Sequence, residues 1–111
     1  MEIFKETVNN KIGVLKVTGR LDASAVKKLK ENVNSMITSK ITCLVLDMSG
    51  VNFIDSSGLG SLVSCLRMVN SENGDIRLAA LQDQIRSLIE LTRLHRVFQI
   101  FEDRNTAVNS F

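Results

Sequence analysis

The residues best placed to do chemistry in this chain are Asp55, Ser56, Ser57 and Gly58. They follow the apolar run Cys43–Leu46, which predicts a buried strand, and they precede apolar residues at helical spacing. A serine hydroxyl at such a junction lies beside unpaired backbone N–H groups and the positive end of the helix dipole, a place that suits a phosphate group. The other interpretation is that Asp55, Ser56 or Ser57 only caps the helix, as most such residues do.

Two further acidic residues are expected near the ends of strands. Asp22 ends the segment Gly19-Arg20-Leu21-Asp22, which follows a predicted strand and precedes a helix. Loops at the carboxyl ends of strands carry the sites of open α/β sheets, so Asp22 is expected beside Ser56. It can also cap the helix, and the two roles are compatible. Asp47, after Leu46, is either a loop-facing acid or simply the exit of its strand.

Hydrophobic patterning supplies the elements that position these residues. Strands are predicted over Glu2–Val8, Ile12–Thr18, Ile41–Met48, Ile76–Leu81 and Val97–Phe101, with turns at Asn9-Asn10 and Ser49–Asn52. Helices are predicted from Asp22 or Ser24, from Ser57 to about Asn70 with Gly74 as its left-handed end, from Asp83, and over Asp103–Asn109. Strands that alternate with helices predict a largely parallel sheet, joined here to one antiparallel hairpin.

The helix that begins near Ser57 is predicted to have one buried stripe and one small, uncharged outer face. The buried stripe comprises Leu59, Leu62, Val63, Leu66 and Val69, and the outer face comprises Gly60, Ser61, Ser64, Arg67, Met68 and Ser71. Small residues let the backbone of another protein approach Ser56, and Met68 adds an adaptable apolar contact. A plain polar face with one isolated methionine is the alternative.

Composition limits the classes to which the chain can belong. Its 111 residues predict a single domain over 1–111. The net charge of +2, with no basic cluster, argues against nucleic-acid binding. Cys43 and Cys65 lack metal-ligand spacing, so we expect reduced, buried thiols. The first residues lack the apolar core of a signal peptide and no apolar run reaches about 18 residues, so we expect a cytoplasmic protein without a membrane partner.

The chain carries no complete set of catalytic residues. Ser56, an Asp and the single histidine, His95, suggest a hydrolase triad, but the Gly-x-Ser-x-Gly elbow is absent. The phosphate-binding, dinucleotide-binding and zinc-protease motifs are also absent. We therefore expect no enzymatic activity and no cofactor.

Two segments resemble the signature of a known family. Phe53-Ile54-Asp55-Ser56-Ser57-Gly58-Leu59-Gly60 and Gly19-Arg20-Leu21-Asp22 resemble motifs of the anti-sigma factor antagonists, bacterial regulators of the STAS domain class. The resemblance covers the whole chain. It implies an α/β fold with a mixed, largely parallel sheet of four to five strands, an N-terminal antiparallel hairpin and helices packed mainly on one face.

The resemblance also implies a function. Unphosphorylated members bind an anti-sigma factor that is also a serine kinase, and they thereby free a sigma factor. That kinase phosphorylates the serine after the aspartate, here Ser56, and breaks the complex, while a serine phosphatase of the metal-dependent class resets it. Partner contacts are expected at Asp22, Asp55, Ser57, Gly58, Gly60, Ser61 and Ser64. The alternatives are a STAS module that regulates secretion, biofilm formation or a transporter, or nucleotide or lipid binding at the same loops.

Overall fold

The computed structural model describes residues 1–111, and its centre is a five-stranded sheet. The strands are β1 (Glu2–Val8), β2 (Ile12–Leu21), β3 (Cys43–Ile54), β4 (Asp75–Ala79) and β5 (Ile100–Phe101). The helices are α1 (Val26–Thr38), α2 (Ser56–Asn70), α3 (Asp83–Leu91) and α4 (Arg104–Asn109), with short 3-10 turns at Ala23–Ala25 and Leu94–Arg96. The strands lie side by side in chain order, β1 antiparallel to β2 and the others parallel, which confirms the predicted mixed sheet.

The hairpin between β1 and β2 turns at Asn9 and Asn10, as predicted. Their φ angles are 54° and 57°. Two consecutive left-handed residues make the tight turn whose twist matches that of the flanking strands, and asparagine tolerates this conformation better than most residues.

The core lies mainly on one face of the sheet. A cluster of 22 buried residues fills the space between the sheet and α1, α2 and α3, with Leu44, Leu46 and Met48 of β3 at its centre. A cluster of only five buried residues, Val14, Val45, Ala79, Ala107 and Val108, lies on the opposite face under α4. The difference in size confirms that the helices pack mainly on one face.

Strands β2 and β3 are longer than the sequence pattern predicts. The predicted turn over Ser49–Asn52 is wrong, because β3 continues to Ile54 and β2 continues to Leu21. Two register shifts interrupt the pairing of these strands, one before Thr18 and one before Arg20. As a result Met48, Val51 and Ile54 all enter the main core at a spacing of three rather than two.

The prediction of Gly74 as the left-handed residue after α2 is also wrong. Asn73 has the positive φ, 61°, and Gly74 does not. Gly74 is needed for space, since a Cβ there would lie 2.0 Å from the carbonyl oxygen of Thr42. The glycine thus allows the start of β4 to pass close to the start of β3.

The two cysteines are free thiols in different environments. Cys65 of α2 is fully buried, as predicted, and burial raises the pKa of its thiol to about 11. Cys43, at the start of β3, is only half-buried.

The C-terminal segment is fixed to the sheet by Arg77 of β4. Its guanidinium stacks on the ring of Phe111, with 3.9 Å between the guanidinium carbon and the ring centroid. It also donates a 2.7 Å hydrogen bond to the Ser110 hydroxyl and pairs with Asp75 at 3.1 Å. These contacts keep α4 on the face opposite the other helices.

Candidate functional site

The site lies where β2 and β3 end beside each other. Leu21 and Ile54 are paired across the two parallel strands, so the residues that follow them, Asp22 and Asp55, lie at the same end of the sheet. The Asp55 N–H donates a 3.4 Å hydrogen bond to the Leu21 carbonyl, which joins the two ends directly. The prediction that Asp22 lies at the same sheet end as the Ser56 loop is confirmed.

Asp55 caps the helix that follows. Its backbone is extended and its side chain accepts a 3.0 Å hydrogen bond from the Gly58 N–H. The Asp55 carbonyl accepts the first intrahelical bond, 2.9 Å, from the Leu59 N–H. The interpretation of an acidic cap is therefore correct for Asp55, and α2 begins at Ser56, one residue before the predicted start.

Ser56 and Ser57 occupy the exposed first turn of α2. Their backbone N–H groups precede the first intrahelical donor and lie at the positive end of the helix. Neither hydroxyl takes part in the side-chain hydrogen bonds of the structure, unlike those of Ser61 and Ser71, further along the chain. Ser56 thus presents a free hydroxyl to solvent beside the cap.

Gly58 holds this turn against the end of β2. A Cβ at Gly58 would lie 2.0 Å from the Leu21 carbonyl oxygen and 2.8 Å from the Ile54 side chain. Only glycine allows so close an approach. Gly58 is consequently buried, and it shapes the exposed surface of Ser56 and Ser57 from beneath.

The side chain of Asp22 is fixed by hydrogen bonds from a residue close to it in the chain. It accepts hydrogen bonds from the Ser24 hydroxyl at 2.6 Å and the Ser24 N–H at 3.0 Å. The hydrogen bond from the Ser24 hydroxyl, aided by the Ser24 N–H and Arg20, holds the pKa of Asp22 below its ordinary value. Asp22 therefore carries a full negative charge near the start of α2 at neutral pH.

Arg20 and Phe53 are part of this strand-end surface, although the sequence pattern did not single them out. They are paired across β2 and β3, and the guanidinium carbon of Arg20 lies 3.8 Å from the centroid of the Phe53 ring. Arg20 also pairs with Asp22 at 3.5 Å. An exposed arginine that stacks on an aromatic ring is held in place with little loss of hydration. Only the strand register, which the sequence does not display, could have indicated this pair.

The outer face of α2 agrees with the prediction in part. Gly60 is exposed and Ser64 is half-buried, so a small surface does follow Ser56. The placement of Ser61 on the outer face is wrong, since its residue surface is 2% exposed and its hydroxyl donates a 2.7 Å hydrogen bond to the Gly58 carbonyl. Because that bond satisfies the hydroxyl within the helix, Ser61 can be buried without penalty. Met68 is half-buried and packs against the main core.

Two other residues considered from the sequence lie outside the site. Asp47 is neither a loop residue nor a strand exit, because β3 continues past it to Ile54. Its side chain is on the opposite face of the sheet from the main core, and it accepts a 3.1 Å hydrogen bond from the Ser49 N–H. His95 lies in the 3-10 turn after α3 and lines a separate cavity with Arg86. The structure does not bring His95 and Ser56 together as a triad would require.

No three histidine, cysteine or acidic side chains of residues 1–111 come together as a metal-binding group. None of the helices combines the length and the hydropathy that crossing a membrane requires.

The comparisons with known proteins agree with this geometry. The model of the STAS domain matches residues 4–107. The chain belongs to the STAS domain family. The match includes β2, β3 and α2, the elements that build the site, and so places the strand-end surface within the family's common fold.

One relative and two solved proteins illustrate the likeness. The anti-sigma-B factor antagonist of Staphylococcus aureus is 28% identical over 99 residues, which cover 89% of this chain and 92% of the relative. An anti-sigma factor antagonist from Mycobacterium paratuberculosis superposes with a TM-score of 0.86 at 24% identity, covering 98% of this chain and 92% of that one. SpoIIAA of Bacillus, in its phosphorylated form, superposes with a TM-score of 0.77 at 20% identity, covering 98% of each chain.

Proposed function

We propose that this protein is an anti-sigma factor antagonist that is switched by phosphorylation of Ser56. In its unphosphorylated form it binds an anti-sigma factor that is also a serine kinase, and so frees a sigma factor for transcription. The name of the Staphylococcus aureus relative supports this role. The observation that carries the proposal is the exposed, unbonded hydroxyl of Ser56 at the capped start of α2.

The surroundings of the other serines favour Ser56 as the acceptor. The hydroxyl of Ser24 already donates to Asp22, and that of Ser61 is buried and donates to Gly58. A kinase would have to break those bonds before transfer. Exposed serines such as Ser39 and Ser87 lie away from this sheet end, so Ser57 is the remaining competitor at the site, since it too is exposed in the first turn of α2.

A phosphate on Ser56 would be tolerated by the fold. It adds about −1.5 to −2 charges at neutral pH, next to backbone N–H groups and the positive end of a 15-residue helix. The cap itself is made by Asp55, whose bond to the Gly58 N–H does not involve the Ser56 hydroxyl. Phosphorylation therefore requires no unfolding of α2.

The same phosphate would oppose a partner that docks over it. Asp55 and the ionised Asp22 already carry negative charge at this sheet end. A partner that covers the phosphate must remove its hydration and must bring its own surface against three neighbouring acidic groups. Like-charge contacts of this kind can cost several kcal/mol, so the modification blocks the interface through charge alone.

The proposed partner surface follows from these positions. Asp22, Ser57, Gly60 and Ser64 offer direct contacts around Ser56, while Asp55, Gly58 and Ser61 hold the first turn of α2 in shape from within. A serine phosphatase of the metal-dependent class would remove the phosphate and restore binding.

The acceptor can be tested by mass spectrometry after incubation with the cognate kinase and ATP. We expect one phosphate on the wild type, none on Ser56→Ala, and one on the matched control Ser57→Ala, because only Ser56 is the substrate. Phosphate that persists on Ser56→Ala and disappears from Ser57→Ala would assign the site to Ser57 instead.

A further inference from the structure

A second concave site lies on the sheet face opposite the main core. Helix α4 contacts β3, β4 and β5 on that face and leaves the adjacent part of β1 and β2 uncovered. The space beside it is a cavity of about 310 Å³. Val14 is buried at this cavity, Phe4 lines it with an exposed ring, and an ion pair between Arg104 and Glu6 joins α4 to β1 there.

The cavity contains two opposite charges that do not meet. Lys16 of β2 and Asp47 of β3 are direct neighbours in the strand register, and both line the cavity. They nevertheless form no ion pair, although Arg104 and Glu6 beside them do. Lys5 also lines the cavity without an acidic partner, but its ammonium donates a 3.1 Å hydrogen bond to the Ser35 hydroxyl of α1. Lys16 is thus the cation of the cavity that has neither an acidic nor a hydrogen-bond partner.

Asp47 is buried but keeps one oxygen free. Asp47 is 9% exposed, and one of its carboxylate oxygens accepts a hydrogen bond from the Ser49 N–H. The other oxygen accepts no hydrogen bond from the protein. Every buried side-chain oxygen of the chain that has no access to solvent has a hydrogen-bond partner. Since this Asp47 oxygen has no partner, it is accessible, and it opens to the cavity. A carboxylate with so little access to water gains strongly from a charged donor.

We propose that this cavity binds a free α-amino acid with an apolar side chain. The ammonium group of the ligand donates to the free oxygen of Asp47, and its carboxylate accepts from Lys16. The apolar side chain packs against Phe4 and Val14. A zwitterion joins the two separated charges in a way that neither a simple amine nor a simple acid can. The volume is at the lower end of the range of small-ligand sites, which fits a ligand of this size.

The first test compares one amino acid with its two half-charged analogues by NMR titration of the ¹⁵N-labelled protein. The probes are L-leucine, 4-methylpentanoate, which lacks the ammonium group, and 3-methylbutylamine, which lacks the carboxylate. We expect L-leucine to saturate shifts of the amides of β1, β2 and β3 around the cavity, and each analogue to bind at least about tenfold more weakly. Equal binding of either analogue, or no saturation by L-leucine below about 10 mM, would refute the proposal.

Substitutions locate the binding. Lys16→Gln and Asp47→Asn each remove one of the two charges and should weaken L-leucine binding by about tenfold or more. Asp47→Asn keeps a side-chain oxygen that can accept from the Ser49 N–H, and Lys16→Gln changes an exposed residue, so both variants should fold. Lys27→Gln, the same change on α1 across the sheet, is the matched control and should bind as the wild type does. If Lys16→Gln binds L-leucine as tightly as Lys27→Gln, the cavity is not the site.

Discussion

The ends of β2 and β3 are built alike but leave different groups free. Asp22 and Asp55 have nearly the same extended backbone, with φ of −119° and −117° and ψ of −170° and −172°. Each accepts a 3.0 Å hydrogen bond from a backbone N–H just ahead of it, from Ser24 in one case and Gly58 in the other. The two junctions are thus the same capping device at neighbouring positions of one sheet end.

The difference lies in the hydroxyls. At the end of β2, the Ser24 hydroxyl donates a 2.6 Å hydrogen bond to the cap, and Arg20 adds its charge. At the end of β3, Asp55 accepts a backbone donor alone, and the hydroxyls of Ser56 and Ser57 are free. An aspartate followed by a serine at a helix start is therefore not sufficient for an available hydroxyl. The hydroxyl is available where the aspartate accepts only a backbone N–H and does not accept the hydroxyl as well.

The largest effect is expected when the contact that holds the ends of β2 and β3 together is disturbed. Gly58→Ala places a Cβ against the Leu21 carbonyl, so the start of α2 must move. We expect a loss of ~3 kcal/mol or more in the free energy of unfolding, measured with urea. Gly60→Ala is the matched control, because a Cβ there meets nothing within 4 Å. It should gain ~0.5–1 kcal/mol, and similar losses in the two variants would show that the ends are not in tight contact.

Removal of each cap should give a smaller and unequal effect. Asp55→Ala leaves the Gly58 N–H at the start of a 15-residue helix without its acceptor and should lose ~0.5–2 kcal/mol in the same unfolding measurement. Asp22→Ala affects a three-residue 3-10 turn and should lose less. A larger loss for Asp22→Ala would reverse the order of importance that we assign to the two ends.

The smallest effect concerns the charge of Asp22. Ser24→Ala removes the main hydrogen bond that lowers the pKa of Asp22, so this pKa should rise towards its ordinary value in an NMR titration of the carboxyl carbon. A lowered folded-state pKa stabilises above the unfolded value of 3.8, and that contribution disappears as the pH falls through the folded value. The stability difference between wild type and Ser24→Ala should therefore shrink below pH 3.8. An unchanged pKa in Ser24→Ala would remove the distinction between the two ends.

Much of the fold was accessible from the sequence because the patterns there are simple. The Asn9-Asn10 turn, the acidic start of α2 and the last helix near Asp103–Asn109 all rest on local chemistry, and the structure confirms them. The resemblance in Phe53–Gly60 supplied the packing of the helices mainly on one face of the sheet, which patterning alone left open.

The remaining features depend on contacts between distant residues. The true length of β3 was missed because its register shifts against β2 change the spacing of buried residues from two to three. Ser61 was placed outside because serine is polar, whereas its bond to the Gly58 carbonyl allows burial. The Arg20–Phe53 stack follows from strand register, which no single stretch of sequence encodes. Asp47 was placed at a strand end because the continuation of β3 to Ile54 was missed, and alternation along β3 puts its side chain on the face opposite Leu46 and Met48.

The central claim is that charge at Ser56, and not loss of structure, ends partner binding. A calorimetric titration with the kinase partner tests it most directly. Ser56→Ala and Ser56→Asp are measured with and without ATP. Ser87→Asp, on the exposed side of α3, is the charge control. We expect Ser56→Ala and Ser87→Asp to bind as the wild type does without ATP, and Ser56→Asp to bind at least about tenfold more weakly at unchanged thermal stability. ATP should abolish binding of the wild type but not of Ser56→Ala. Equal affinities of Ser56→Ala and Ser56→Asp would contradict the account.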